Sequence, residues 1–258
     1  MTQTYNEAPI IADMVGQLLQ VGEANTSKLE LVVVLYEGAA DGTNEIVRSL
    51  EARDARIRTV VQPRALAGYG RAFRQGIYAA QNEYVFQTDA DGQFDFTELS
   101  RAATYVPQYD FIHFNRGHRN DSWERLVIGR CFSTLVRLAV HGPDVDFNSA
   151  FKLFRRDILH RFTLNCESGI LVPEFVIKAH VSGARMFVDS TLHQARLSGR
   201  ATWDVQPSWF PVTIPNGRIV GQNLRDLFVL RREILRYERS LRRTAVNPVV
   251  DVVKARSA

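Results

Sequence analysis

Val85-Phe86-Gln87-Thr88-Asp89-Ala90-Asp91-Gly92-Gln93-Phe94-Asp95 decides how the rest of the chain is read. Its apolar beginning has the pattern of a buried strand, and that strand delivers two aspartates, one residue apart, to its end. Extended chain alternates sides, so Asp89 and Asp91 are expected to project the same way. Two convergent carboxylates form a hard-oxygen site suited to Mg²⁺ or Mn²⁺ carrying a substrate diphosphate. A solvated turn is the plain alternative, because Asp and Gly are common turn residues.

On either side of this stretch, strand and helix patterns alternate. Residues 29–35 read as a buried strand, 57–61 as another, and Tyr84–Gln87 and 111–114 as two more. Helical spacing covers 10–19, 45–52, 70–81 and 98–105. Strands separated by helices, several of them apolar throughout, predict an α/β fold with a mostly parallel sheet covered on both faces. Ligands of such sheets bind beyond the carboxyl ends of the strands, where Glu37, Asp41 and Asp89 fall. Further on, Trp123–Val140 reads as a helix, 147–154 as a strand and 172–181 as a helix. Residues 224–243 form an amphipathic helix with Arg225, Arg231, Arg232, Arg236, Arg239, Arg242 and Arg243 on its polar side. That helix either meets anionic lipid headgroups or packs on the domain with a solvated basic face.

The chain has 258 residues, 45% of them hydrophobic, enough for a full core. Its net charge of +4 suits an anionic ligand or a membrane surface and does not by itself indicate nucleic acid. Cys131 and Cys166 lie in apolar surroundings without metal-ligand spacing, so buried thiols in a reducing compartment are expected. The chain shows no signal-peptide pattern and no apolar run near the ~18 residues needed to span a bilayer. His113, His118, His141, His160 and His180 lack ligand spacing. Gly68-Tyr69-Gly70 lacks the third glycine and the preceding strand of a dinucleotide-binding loop.

Six fragments follow one another in a recognisable order. They are Tyr5-Asn6-Glu7, Asp41-Gly42-Thr43, Gly68-Tyr69-Gly70-Arg71-Ala72, Asp89-Ala90-Asp91-Gly92-Gln93, Phe151-Lys152-Leu153-Phe154-Arg155 and His193-Gln194-Ala195-Arg196-Leu197-Ser198-Gly199. In this order they resemble the nucleotide-sugar transferases of glycosyltransferase family 2. The resemblance is strongest to their polyprenyl-phosphate branch, typified by dolichyl-phosphate mannosyltransferase. It implies a GT-A fold over residues 1–203; the pattern of the residues that follow adds a helical extension over 204–243 and a mobile tail over 244–258. By position, Tyr5, Glu7, Glu37, Asp89 and Ala90 would bind the nucleotide sugar, a UDP- or GDP-sugar. Asp89, Asp91 and Gln93 would hold Mg²⁺ or Mn²⁺. Arg116, Arg130, Ser133 and Arg196 would surround the phosphate of a polyprenyl acceptor at the cytoplasmic face of a membrane. His193 would approach the diphosphate or serve as a structural histidine.

A polyprenyl phosphate is already ionised and needs no general base, whereas a saccharide or small-molecule hydroxyl would need one. Asp146 ranks ahead of Glu174 for that role, and for either acceptor the family resemblance implies inversion at the anomeric carbon. A transferase-like binding protein without turnover is the third alternative. Three departures from the family pattern bear on donor and acceptor. Tyr36-Glu37 stands where relatives have adjacent aspartates, and Ala150 stands where they often have glycine. Only Met1-Thr2-Gln3-Thr4 precede Tyr5, so the first strand is expected to be short or to start upstream.

Overall fold

A computed structural model describes residues 1–119, 123–140, 142–194, 204–205, 214–215, 217–244 and 253–254. Thr2–Gln3 (β1), Leu31–Tyr36 (β2) and Ile57–Gln62 (β3) run parallel, with Thr2 opposite Val33 and Leu31 opposite Ile57. Ile11–Asn25 (α1) and Thr43–Glu51 (α2) connect them. Tyr69–Ala79 (α3) leads to Tyr84–Gln87 (β4), and Glu98–Ala103 (α4) to Phe111–Arg119 (β5). Trp123–Val140 (α5) precedes Lys152–Arg155 (β6), and Leu171–Val181 (α6) precedes Met186–His193 (β7). Asp204–Val205 (β8) pairs with Ile214–Pro215 (β9), and Gly217–Thr244 (α7) follows. Val253–Lys254 (β10), in the segment expected to be a tail, pairs with β7.

β2 is Leu-Val-Val-Val-Leu-Tyr, buried on both faces, as a strand inside a covered parallel sheet must be. Met1 joins the two main sheets: its nitrogen donates to Phe86 O (2.6 Å) and its carbonyl accepts from Thr88 N (3.2 Å). The strand order across the molecule is therefore β3-β2-β1-β4-β6-β5-β7-β10. β5 and β7 are parallel, and β6 runs antiparallel between β4 and β5. On one face Phe73, Phe111, Phe154, Phe175 and Ile177 form a core beneath α3, α5, α6 and α7. On the other face Ile11, Leu18, Val33, Leu35, Leu99, Ile112 and Phe151 pack with α1, α2 and α4.

Two sequence expectations need correction. The strand predicted over 147–154 is confined to Lys152–Arg155. Its first half is a turn closed by Ser149 N–H on the Asp146 carbonyl at 3.0 Å. Phe147, Ala150 and Phe151 are nonetheless buried, so their apolar character reflects packing and not extension. The second correction concerns the thiols: Cys166 is buried and Cys131, on α5, is exposed.

α7 packs inward through Leu227, Leu230 and Ile234. Asp226 Oδ2 accepts the backbone N–H groups of Glu167 (2.9 Å) and Ser168 (2.8 Å), and Glu233 accepts from Lys178 Nζ at 2.7 Å. Its outer surface leaves Arg225, Arg231, Arg232, Arg236 and Arg239 exposed, with Leu224 at 52% and Phe228 at 62% exposure. The helix is thus packed on the domain with a solvated basic face, the second of the two readings of its sequence. Among the described residues no helix is long and apolar enough to cross a membrane.

Candidate active site

Three loops meet where β1, β2 and β4 end. The first, Tyr5-Asn6-Glu7, is tied to the second by three hydrogen bonds, and a fourth lies within the second. Glu7 N donates to Thr43 Oγ1 (2.9 Å), Ala8 N to Asp41 Oδ2 (2.9 Å), Ala40 N to Asn6 Oδ1 (3.3 Å) and Thr43 Oγ1 to Asp41 Oδ1 (2.6 Å). Desolvation raises the Asp41 carboxyl, but the bonds from Thr43 and Ala8 outweigh it and hold the group below the ordinary range. Glu7 is buried, and the Tyr5 ring lies 5.4 Å from that of Tyr36. Glu37 is exposed, with Oε2 accepting the Arg64 N–H at 2.7 Å. The tyrosine that departs from the family pattern thus builds an aromatic pair with Tyr5 at the strand edge.

The third loop carries the two aspartates. Strand geometry ends at Gln87, so the simple alternation expected for Asp89 and Asp91 stops before it reaches them. Gly92, at φ 75°, turns the chain in the left-handed region that favours glycine. Asp91 is buried and its Oδ1 accepts the Gln93 N–H at 3.1 Å. Asp89 is half-buried, and its Oδ1 lies 3.3 Å from the Tyr69 hydroxyl and 3.5 Å from Gln3 Nε2. Desolvation, then the charge of Asp89 and its hydrogen bond, then the charge of Asp91, push the Tyr69 phenol pKa well upward. Ala90 between them is buried against the second core. Gln93 Nε2 donates to the Gln194 carbonyl (3.1 Å) and Gln194 N to the Gln93 carbonyl (2.9 Å). Phe94 bridges His193, whose ring lies 5.1 Å from the phenylalanine ring. The end of β7 is thereby laced to the aspartate loop.

Opposite stands Arg116 on β5, next to an irregularity between Arg116 and Arg119 where Gly117 comes too close to Thr191 O to carry a side chain. Arg116 grips Asp146 with two bonds, Nε to Oδ2 (2.6 Å) and Nη2 to Oδ1 (2.9 Å). Asp146 Oδ1 also accepts Asn148 N–H at 3.2 Å. Ser133 lies on α5, half-buried. The side chain of Arg130 and all of Arg196 lie outside the described residues.

Glu174, named as an alternative base, is removed from this region. It is wholly buried and accepts from Asn165 N (2.8 Å), Cys166 N (2.9 Å) and Lys178 Nζ (2.6 Å), a structural role. Sequence reasoning missed Tyr69, Gln3, His113 and Lys152. His113 and Lys152 sit side by side under Asp146, fully buried. Burial lowers the Lys152 ammonium to about 7, and burial followed by the Lys152 charge lowers His113 to about 3.

His113 faces a carbonyl, that of Asp146 at 3.0 Å, so Nε2 carries the proton of a neutral ring. The unfolded chain, with His near 6.5, takes up a proton that the folded chain does not. Stability is therefore expected to fall as pH drops from 6.5 toward 3, by about 2 kcal/mol at pH 5 from this group. Urea denaturation between pH 7 and 4.5 should show that slope reduced in His113→Gln, which keeps an N–H donor.

Residues 1–163 match the model of glycosyl transferase family 2. The chain belongs to that family. It is 29% identical over 213 residues to glycosyltransferase AglJ of Haloferax volcanii, covering 78% of this chain and 64% of that one. It is 28% identical over 170 residues to dolichyl-phosphate beta-glucosyltransferase ALG5C of Trichomonas vaginalis, covering 59% and 50%. Polyprenol monophosphomannose synthase of Mycolicibacterium smegmatis is 25% identical over 171 residues, covering 63% of each. The matches thus span between half and 64% of these relatives' lengths. Glucosyl-3-phosphoglycerate synthase of Mycobacterium tuberculosis with Mn²⁺ and UDP-glucose superposes at TM-score 0.54, 15% identity and 76% and 70% coverage. Mannosyltransferase PcManGT of Pyrobaculum calidifontis with GDP-Man and Mn²⁺ gives 0.50, 21%, 74% and 53%. The shared architecture is the GT-A fold.

The donor set suits a hard divalent cation only as a partial shell. Among the described residues no group of three or more His, Cys, Asp and Glu is arranged to hold a metal ion. Asp89 and Asp91 supply carboxylate oxygens at one turn, and ions of the Mg²⁺ type are commonly held by one or two carboxylates plus substrate phosphates. Asp89 and Asp91 would supply only part of such an ion's oxygen shell, the rest coming from substrate phosphates or water.

Proposed function

We propose that this chain is an inverting glycosyltransferase that moves a sugar from a nucleoside-diphosphate sugar to a polyprenyl monophosphate. The carrying observation is the state of the two carboxylates that a hydroxyl acceptor would need as a base. Glu174 is locked in the core, and Asp146 is engaged edge-on by the Arg116 guanidinium. An ionised phosphate oxygen needs neither. It needs positioning and charge compensation, which a bidentate guanidinium supplies.

In this reading the Tyr5–Tyr36 pair and Glu37 form the nucleoside side of the site, and Glu7 braces it from below. Asp89 and Asp91 hold the divalent ion, which when bound supplies Lewis-acid charge to offset the departing diphosphate. Tyr69 and Gln3 orient Asp89 through its Oδ1. Arg116, preorganised by Asp146, receives the acceptor phosphate on the opposite side, together with Ser133, Arg130 and Arg196. The names of the dolichyl and polyprenol relatives support this choice of acceptor.

Asp146→Asn tests it. The asparagine retains an oxygen for Arg116, so transfer to polyprenyl phosphate is expected to stay within roughly tenfold of wild type, whereas loss of a true general base costs 10²–10⁴-fold. Abolished transfer, with a hydroxyl acceptor used by the wild type, would favour the second reading.

A lipid acceptor also calls for a surface that meets the membrane, and we assign it to the outer face of α7. Exposed Phe228 and Leu224 flanked by arginines suit an anionic bilayer. The protein is expected to co-sediment with phosphatidylserine-containing liposomes and to lose this when Arg231, Arg232 and Arg236 become Glu. Wild-type indifference to liposomes would contradict the assignment.

A further inference from the structure

One rung of the central sheet differs in kind from those below it. Gln87 on β4 pairs with Lys152 on β6, and Lys152 with His113 on β5. Residues directly opposite on neighbouring strands share a face. The next rung on that face, Val85, Phe154 and Phe111, is wholly apolar and packs into the core. The polar rung is the last before the loops that carry Asp89 and Asp146, and all three of its side chains are buried.

Packing does not account for an ammonium at this point. An unbranched apolar side chain would continue the face, whereas burying a lysine is costly unless its charge is used. The contacts show where it is directed. Lys152 Nζ donates to the Ser149 carbonyl, and His113 Nε2 donates to the Asp146 carbonyl at 3.0 Å. These carbonyls are the two ends of one turn, closed by Ser149 N–H on Asp146 O. Ser149 Oγ adds a bond to Phe114 O on β5. The turn presents the Asp146 carboxylate that holds Arg116. Lys152 therefore grips from beneath the backbone whose side chain orients the arginine above.

We infer that Lys152 is a positioning residue: it fixes the 146–149 turn and, through Asp146, sets Arg116 for the acceptor phosphate. The inference deepens the proposed function and rests on Arg116 being the phosphate ligand. Lys152→Met keeps the length of the side chain while removing donor and charge, Lys152→Gln keeps a donor, and Lys152→Arg keeps both. In the full chain, Lys152→Met is expected to melt no lower than wild type, because an apolar isostere replaces a buried charge. Hydrogen exchange of the peptide covering residues 146–149 should nevertheless be about tenfold faster. KM for polyprenyl phosphate should rise about tenfold while KM for the nucleotide sugar stays within about threefold. Lys152→Arg should recover most of the acceptor KM. If Lys152→Met does not fold, Lys152→Leu, which likewise lacks a donor and a charge, carries the same readouts.

Unchanged exchange of the turn together with wild-type acceptor KM would overturn the inference. So would equal losses in donor and acceptor KM accompanied by a lower melting temperature, which mark a purely structural lysine. Faster exchange of the turn in a protein whose wild type transfers nothing to polyprenyl phosphate would uphold the hold on the turn and overturn the assigned acceptor.

Discussion

Asp91→Asn is expected to lose at least roughly a thousandfold in kcat/KM for sugar transfer, comparable to the removal of a principal electrostatic group from a transition state. The substitution is isosteric, and asparagine Oδ1 can still accept the Gln93 N–H that Asp91 accepts at 3.1 Å. The loop should therefore keep its shape and the protein its melting temperature. What disappears is one of two negative charges at the turn after β4, and with it half of the carboxylate set available to a cation. Initial rates at saturating acceptor, with and without Mn²⁺, check this. Activity near wild type with a normal response to metal would remove Asp91 from the catalytic site.

Arg116→Ala is the second large effect, and it acts on two quantities. Its side chain and that of Asp146 are only 14% and 19% exposed, so the substitution leaves a largely desolvated carboxylate without its bidentate partner. Breaking such a pair from one side costs roughly 3 kcal/mol of stability. It also removes the proposed phosphate ligand, so KM for polyprenyl phosphate should rise about a hundredfold while KM for the donor changes little. The double variant Arg116→Ala, Asp146→Asn separates the two: stability should return toward wild type because no buried charge is stranded, and acceptor KM should not. Arg116→Lys should rescue only partly, since an ammonium cannot make the two parallel bonds. A double variant that recovers acceptor KM would show that Arg116 serves Asp146 alone.

Much of this site was readable because its residues lie close together in the chain. The strand that leads to Asp89-Ala90-Asp91, the run at 31–36 and the helix over Trp123–Val140 declare themselves through period and apolar content. The first half of the 147–154 pattern is not legible as a turn because buried phenylalanines occur in turns as well as strands, and turn closure by Ser149 on Asp146 leaves no periodic trace. Tyr69 was passed over as part of a weak glycine motif, and nothing local signals that its hydroxyl meets Asp89. Lys152 did leave a signal, a charge inside the apolar run Phe151-Lys152-Leu153-Phe154. Its meaning depends on the strand register that sets it between Gln87 and His113. The same holds for Arg116 and Asp146, which are 30 residues apart and are brought together by the turn that precedes β6 and its bonds to Asn115 and His113 on β5. Glu174 looked like a candidate base because a carboxylate in sequence carries no mark of burial.

The account stands on a donor site built from the loops after β1, β2 and β4. Calorimetric titration of the wild-type chain with UDP and with GDP, in Mn²⁺, Mg²⁺ and EDTA, tests it most directly. The account predicts binding of one nucleotide in the presence of a divalent ion, abolished by EDTA and by Asp91→Asn. Folded protein that binds neither nucleotide under any of these conditions would contradict it.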